Sequence, residues 1–181
     1  LYSDFGPAEY KEQIFIFSHG FGLAEGMMFG YNIKSMGIKI KEYGSDSAFG
    51  LDVGLLARVS GDFALGVCAK NINEPEISKG HEKLTEEFIT GLFYKPLQGL
   101  DFAFDIEKVL DKPVALHMGA EFRLVDFFVF RTGLQTNPSK YALGFGVNYN
   151  KIYVDYGYFS HATLDAMHVF SLSMKYGGEK E

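Results

Sequence analysis

The chain has 181 residues, long enough for one domain with a sizeable core, and 16 % are aromatic, with 18 Phe, 11 Tyr and 21 Gly but no Trp. A net charge of −6 and a pI of 5.4 leave no Lys/Arg stripe to neutralise phosphates, which excludes a nucleic-acid partner. The single Cys68 excludes an internal disulfide, and no 18-residue apolar run exists to form a transmembrane helix.

The first residue is Leu1, without Met or a signal-peptide pattern, so the chain reads as a processed product or a fragment whose start is missing. Gln13 to Gly20 is a first, weak strand pattern. Gly26 to Ile40 is longer and changes phase near Lys34-Ser35, its outward residues moving from Phe29, Tyr31 and Ile33 to Met36, Ile38 and Ile40. Lys-Ser is poor turn chemistry, so one strand with a bulge is expected rather than two strands.

Strict alternation follows. Phe49, Leu51, Val53, Leu55 and Ala57 oppose Gly50, Asp52, Gly54 and Arg58, with Leu56 breaking the pattern, and Phe63, Leu65 and Val67 oppose Ala64, Gly66, Cys68 and Lys70. Thr85 to Pro96 is a further strand, and Leu100, Phe102, Phe104 and Ile106 then alternate with Asp101, Ala103, Asp105 and Glu107. Segments 114–124, 128–134, 140–149, 152–158 and 168–176 repeat the theme, with Asn150-Lys151 as a two-residue hairpin turn. The sum is 11 strands, or 12 if one segment is a hairpin. About ten residues of dyad alternation suit a tilted strand crossing a bilayer. Tight connections at Ser60-Gly61, Leu97-Gln98, Val125 and Asn150-Lys151 alternate with longer ones, of which Asn71–Leu84 is the longest. Short turns at one end and longer loops at the other belong to outer-membrane barrels.

The face made of Gly, Ala and scattered charges is too sparse for water, which favours dense Lys, Glu and Thr cover. Glycine is expected where a small closed barrel crowds its interior. Aromatics gather at strand ends, as in Phe127, Phe128, Tyr141, Tyr149, Tyr153, Tyr158 and Phe159, resembling an interfacial girdle. The expectation is therefore an all-β fold, an antiparallel up-and-down transmembrane β-barrel spanning 1–181 as one domain, with its greasy face toward the lipid bilayer.

No catalytic, cofactor or metal pattern accompanies His19, His81, His117, His161 and His168. His161 and Asp165 share a loop but lack further ligands. The polar residues Asp52, Arg58, Lys70, Asp101, Asp105, Glu107, Glu121, Arg123, Arg131, Asp155 and Lys175 fall on the lumenal side of the alternation. Among them Asp105, Glu121, Arg131 and Asp155, with His117, are the candidate lumen-facing polar set. A turn at Val125 places Arg131 opposite Gly119, near His117 and Glu121. Such a cluster reads as a structural polar network, its mixed charges pairing across strands. Residues 71–87, charged and holding Pro75 and Gly80, form the longest loop, which reads equally as the best lid or partner contact and as a solvated loop of no special role.

"AFGLDVGLLARVSGDFALGVCAKNINEPEI", "HMGAEFRLVDFFVFRTGLQ" and the closing "LGFGVNYNKIYVDYGYFSHATLDAMHVFSLSMKYG" resemble the PorV/PorQ-like, FadL-related outer-membrane proteins of bacteria. The family's ending is matched by Asp155-Tyr156-Gly157-Tyr158, by the loop Leu164 to His168 and by Ser171-Leu172-Ser173, with Asp165 where Gly is common. The resemblance spans roughly 26–177 and implies a bacterial outer-membrane location. It also implies a 14-stranded barrel of which this chain would be the C-terminal part, with about three strands absent. It implies a partner-binding component of a type IX-like secretion or surface-attachment system, meeting other membrane or secreted proteins. The FadL kinship implies the alternative, a transporter or porin for small hydrophobic solutes.

Overall fold

The structure, a computed structural model, describes residues 2–5, 10–42, 44–77, 82–150, 152–160 and 165–174. His81, His161 and Lys175 lie outside the described residues. Twelve strands form one antiparallel sheet in chain order. They are β1 (Tyr2–Phe5), β2 (Tyr10–Ala24), β3 (Met27–Ile40), β4 (Gly44–Arg58), β5 (Phe63–Lys70), β8 (Glu87–Leu97), β9 (Leu100–Val109), β10 (Ala115–Val125), β11 (Phe128–Gln135), β12 (Lys140–Tyr149), β13 (Ile152–Phe159) and β14 (Met167–Met174). A two-stranded hairpin, β6 (Glu76–Ile77) with β7 (Glu82–Lys83), sits in the long connection.

The count is the upper of the two expected numbers, 11 or 12, though it is reached by another route. The twelfth strand is Tyr2–Phe5, paired with Phe15–Glu12, and no expected segment splits. Contacts divide the chain into two units, Leu1–Gly91 with Glu107–Pro113, and Leu92–Ile106 with Val114–Glu181.

The first unit is built on three long strands. β3 is single, as expected, but no bulge interrupts it: its ladders to β2 and β4 run unbroken through Lys34 and Ser35. Met36, Ile38 and Ile40 therefore stay on the same face as Asn32 and Lys34, which corrects the expected phase change. The apolar face continues instead from Ile33 into Ser35, Gly37 and Lys39. The two faces of β2–β4 thus exchange character toward the β3–β4 connection. On one face Phe17, Ile33 and Leu51 give way to Lys11, Lys39 and Ser45; on the other, Ser18, Asn32 and Asp52 give way to Ile14, Met36 and Ala48. At the opposite end Gly26 makes the β2–β3 turn with φ 73°, where an added Cβ would lie 2.7 Å from the Arg58 carbonyl oxygen.

In the second unit the register runs unbroken from β11 to β14, and the β10–β11 pair shifts once, between Arg123 and Val125. Phe122, Phe130, Phe145, Tyr156 and Phe170 line up across β10–β14 on the apolar face. The ring centroids of Phe145 and Tyr156 are 5.1 Å apart, and those of Tyr156 and Phe170 5.0 Å.

A conventional core is missing. Among the described residues only Ala48, Gly50, Asp52, Pro75, Ile77, Ala115 and Gly146 are buried. The chain exposes 13325 Å², against about 8,800 Å² for a compact soluble protein of this mass. The excess includes the greasy row: Phe17 is 61 % exposed, Phe49 67 % and Phe170 77 %. Five of the seven buried residues lie where residues 71–77 meet the first half of β4.

Candidate functional site

The polar face is where charges collect. In the second unit Arg131 lies directly opposite Glu121, not Gly119 as expected, because the turn is centred one residue later and a bulge intervenes between Arg123 and Val125. Arg131 donates from Nε to Glu121 (2.8 Å) and from Nη1 to Asp155 (2.6 Å), and Arg123 stands 3.6 Å from Glu121. To reach Asp155 the guanidinium crosses the whole width of β12. Gly146 permits this: a Cβ there would meet Asp155 Oδ1 at 2.6 Å and Arg131 Nη1 at 3.2 Å. The glycines of this face leave room for side chains lying flat across the sheet.

Two grooves flank the network. One of about 340 Å³ has a floor of Gly133, Gly144 and Gly157 and walls of Arg131, Asp155 and Phe159. The other, about 280 Å³, is lined by Asp105, His117, Gln135, Lys140 and Phe159. The expected five residues are thus divided. Glu121, Arg131 and Asp155 are joined, whereas His117 sits opposite Gln135, with the Gly119–Gly133 pair between it and the Glu121–Arg131 pair. Asp105 shares its groove with His117.

The first unit holds a second network that the sequence reading missed. Asp52, 5 % exposed, forms an ion pair with Lys34 at 2.6 Å and accepts from Asn32 Nδ2 (3.2 Å) and the Asn71 amide (3.0 Å). Lys34 also donates to Asn71 Oδ1 at 2.7 Å. Asn71 has φ 56°, a left-handed conformation that turns its side chain toward this face. Lys34 and Asn32 were legible in principle, since both stand on the polar parity of β3; the assumed bulge hid them. A third groove, about 500 Å³, lies beside Asp52 over Gly20, Gly30 and Gly54. Its walls include Leu56, the residue that breaks the alternation of β4.

The same loop is clamped further on. Asn73 accepts from the Leu51 amide (2.8 Å) and donates to the Phe49 carbonyl (2.7 Å), standing in for a ladder partner where β5 has left β4. β6 then packs on β4, with Pro75 and Ile77 buried. Outside the sheet, Lys83 and Glu74 pair at 2.7 Å. Two further ion pairs cross neighbouring strands, Lys70–Glu87 (2.6 Å) and Lys95–Asp101 (3.6 Å).

No family model and no curated protein matches the chain. Solved structures do. A mutant of the Rhodopseudomonas blastica porin is similar at a TM-score of 0.55 and 9 % identity, over 93 % of this chain and 81 % of that one. A triple mutant of the same porin gives 0.55 at 8 % identity, over 93 % and 82 %. The likeness is one of fold: an all-β, antiparallel up-and-down sheet of the β-barrel type.

Proposed function

We propose that this chain is a bacterial outer-membrane β-barrel protein whose polar face lines a passage for small solutes. One observation carries the reading: large apolar side chains stand exposed along one face while the charges of the other face are paired with each other. In water an apolar face of this extent is an aggregation surface, whereas hydrocarbon satisfies it. Ladder pairing between neighbouring strands is also what a bilayer demands of the backbone. The fold likeness to a porin supports the same reading. The tight turns are then periplasmic and the longer connections extracellular. Tyr158, in ring contact with both Tyr141 and His168 at the extracellular strand ends, belongs with them to the interfacial girdle.

A second reading, a component of a type IX-like secretion or surface-attachment pathway, draws on the residue resemblance and on the β6–β7 hairpin, a fixed element at the extracellular end suited to a protein partner. Reconstitution separates the two. The passage predicts stepwise conductance in planar bilayers and solute uptake by vesicles. Inserted chain in tight vesicles overturns the passage, and exported proteins co-purifying from native membranes favour the secretion role. A monodisperse, soluble chain without detergent overturns the membrane location itself.

A further inference from the structure

On the apolar face of β2–β4 the register stacks residues into rows. Phe17–Ile33–Leu51 and Phe15–Ser35–Phe49 are followed by Gln13–Gly37–Ser47 and then by Lys11–Lys39–Ser45. Lys11 and Lys39 face each other directly across two antiparallel strands, a placement that repels unless an anion bridges it. Among the residues whose side chains are described, neither has a carboxylate within ion-pair distance. The row between the lysines and the phenylalanines is small and polar, so nothing bulky separates charge from grease.

Resting on the membrane reading above, we propose that Lys11 and Lys39 bind the phosphorylated headgroup of an outer-leaflet lipid whose acyl chains lie along Phe15, Phe17 and Ile33. The heights agree. Two rows are about 13 Å along a strand, or roughly 9 Å along the membrane normal at a tilt near 45°. The polar layer is about 5–8 Å thick on each side of the hydrocarbon. Each lysine therefore roots at the outer edge of that layer, and its ammonium reaches back to the phosphates by snorkelling. An amphiphile matches the site because its charged and apolar parts follow in the same order as the rows.

The test uses the chain inserted in phosphatidylcholine vesicles doped with lipid A, and in undoped vesicles as control. Retained lipid A is counted by native mass spectrometry after gentle extraction. Wild-type chain is expected to retain it, and the K11Q/K39Q double variant to lose about thirty-fold in affinity, taking about five-fold per lysine near an anionic surface. The K108Q/K112Q double variant, an equal charge change off the row, should retain it. Equal retention by wild type and double variant overturns the proposal. Displacement by millimolar inorganic phosphate also overturns it, since the site then takes free anion rather than lipid. Protease shielding in undoped vesicles is scored separately: failure to insert there removes the membrane reading together with this inference, whereas insertion with unselective retention removes this inference alone.

Discussion

Phe145 is the middle residue of the apolar row of β12, with Tyr141 and Tyr149 at its ends. If that row faces lipid, an arginine at 145 sits at the bilayer midplane and costs about 2–4 kcal/mol. Loss of the ring contacts to Phe128 (6.4 Å) and Tyr156 (5.1 Å) adds about 0.5–1.5 kcal/mol. Tyr149 lies four residues further, about 13 Å along the strand or roughly 9 Å in depth, near the edge of an apolar band about 25 Å tall. Arginine there should cost only about 0–1 kcal/mol. Reversible denaturant unfolding of Phe145→Arg and Tyr149→Arg in lipid vesicles gives the difference, expected at about 2 kcal/mol or more. Equal costs at the two positions would refute a lipid-facing row, because a water-filled or protein-filled environment has no such depth profile.

Arg131→Ala leaves Glu121 and Asp155 without their shared cation, so the reversal potential across a reconstituted bilayer should shift toward cation preference. Lys34→Ala leaves the nearly covered Asp52 carboxylate with only its Asn32 and Asn71 donors and no counter-charge, so the unfolding free energy should fall, by less than the roughly 3–5 kcal/mol of a fully uncompensated buried charge. Asn73→Ala removes the hydrogen bonds to the Leu51 amide and Phe49 carbonyl at a local cost of about 0.5–1.5 kcal/mol each, read as faster proteolysis of residues 71–77 with little change in global unfolding. Lys83 holds the Glu74 carboxyl below the usual carboxylate range, and Glu74 in turn raises the Lys83 ammonium. The contribution of Glu74 is complete above its ordinary value and is lost as pH falls through the lowered one; that of Lys83 is complete below its ordinary value and is lost as pH rises through the raised one. NMR titration should therefore give Glu74 a midpoint below that of an unpaired glutamate, returning to normal in Lys83→Gln.

Period-2 patterning made most of the sheet legible, because a strand with one apolar face writes its burial directly into alternate residues. Leu143, Phe145, Val147 and Val154, all expected to face outward, are exposed. Tyr2–Phe5 escaped notice because four residues carry too little alternation. The β6–β7 hairpin escaped because its two-residue strands are fixed by Asn71, Asn73 and burial of Ile77, none of which leaves a periodic trace. The Glu121–Arg131 pairing was misplaced by one turn residue, and a one-residue error in a hairpin centre moves the partner by two. On β3 the failure had a different origin. Reading every apolar residue as outward-facing required a bulge, when the strand had changed surroundings rather than direction.

That exchange of faces acts as a waterline. On the membrane reading proposed above, below it the lipid-facing side of β2–β4 is dry and the other side wet; above it the first side carries Lys11 and Lys39, while Met36 and Ile38 lie on the side where β6 packs against β4. Sinking the sheet by one residue pair would drag the Gln13 row into oil, and raising it would lift Phe15 and Phe49 into water. On the membrane reading, the depth at which β2–β4 sit is therefore written into these four rows.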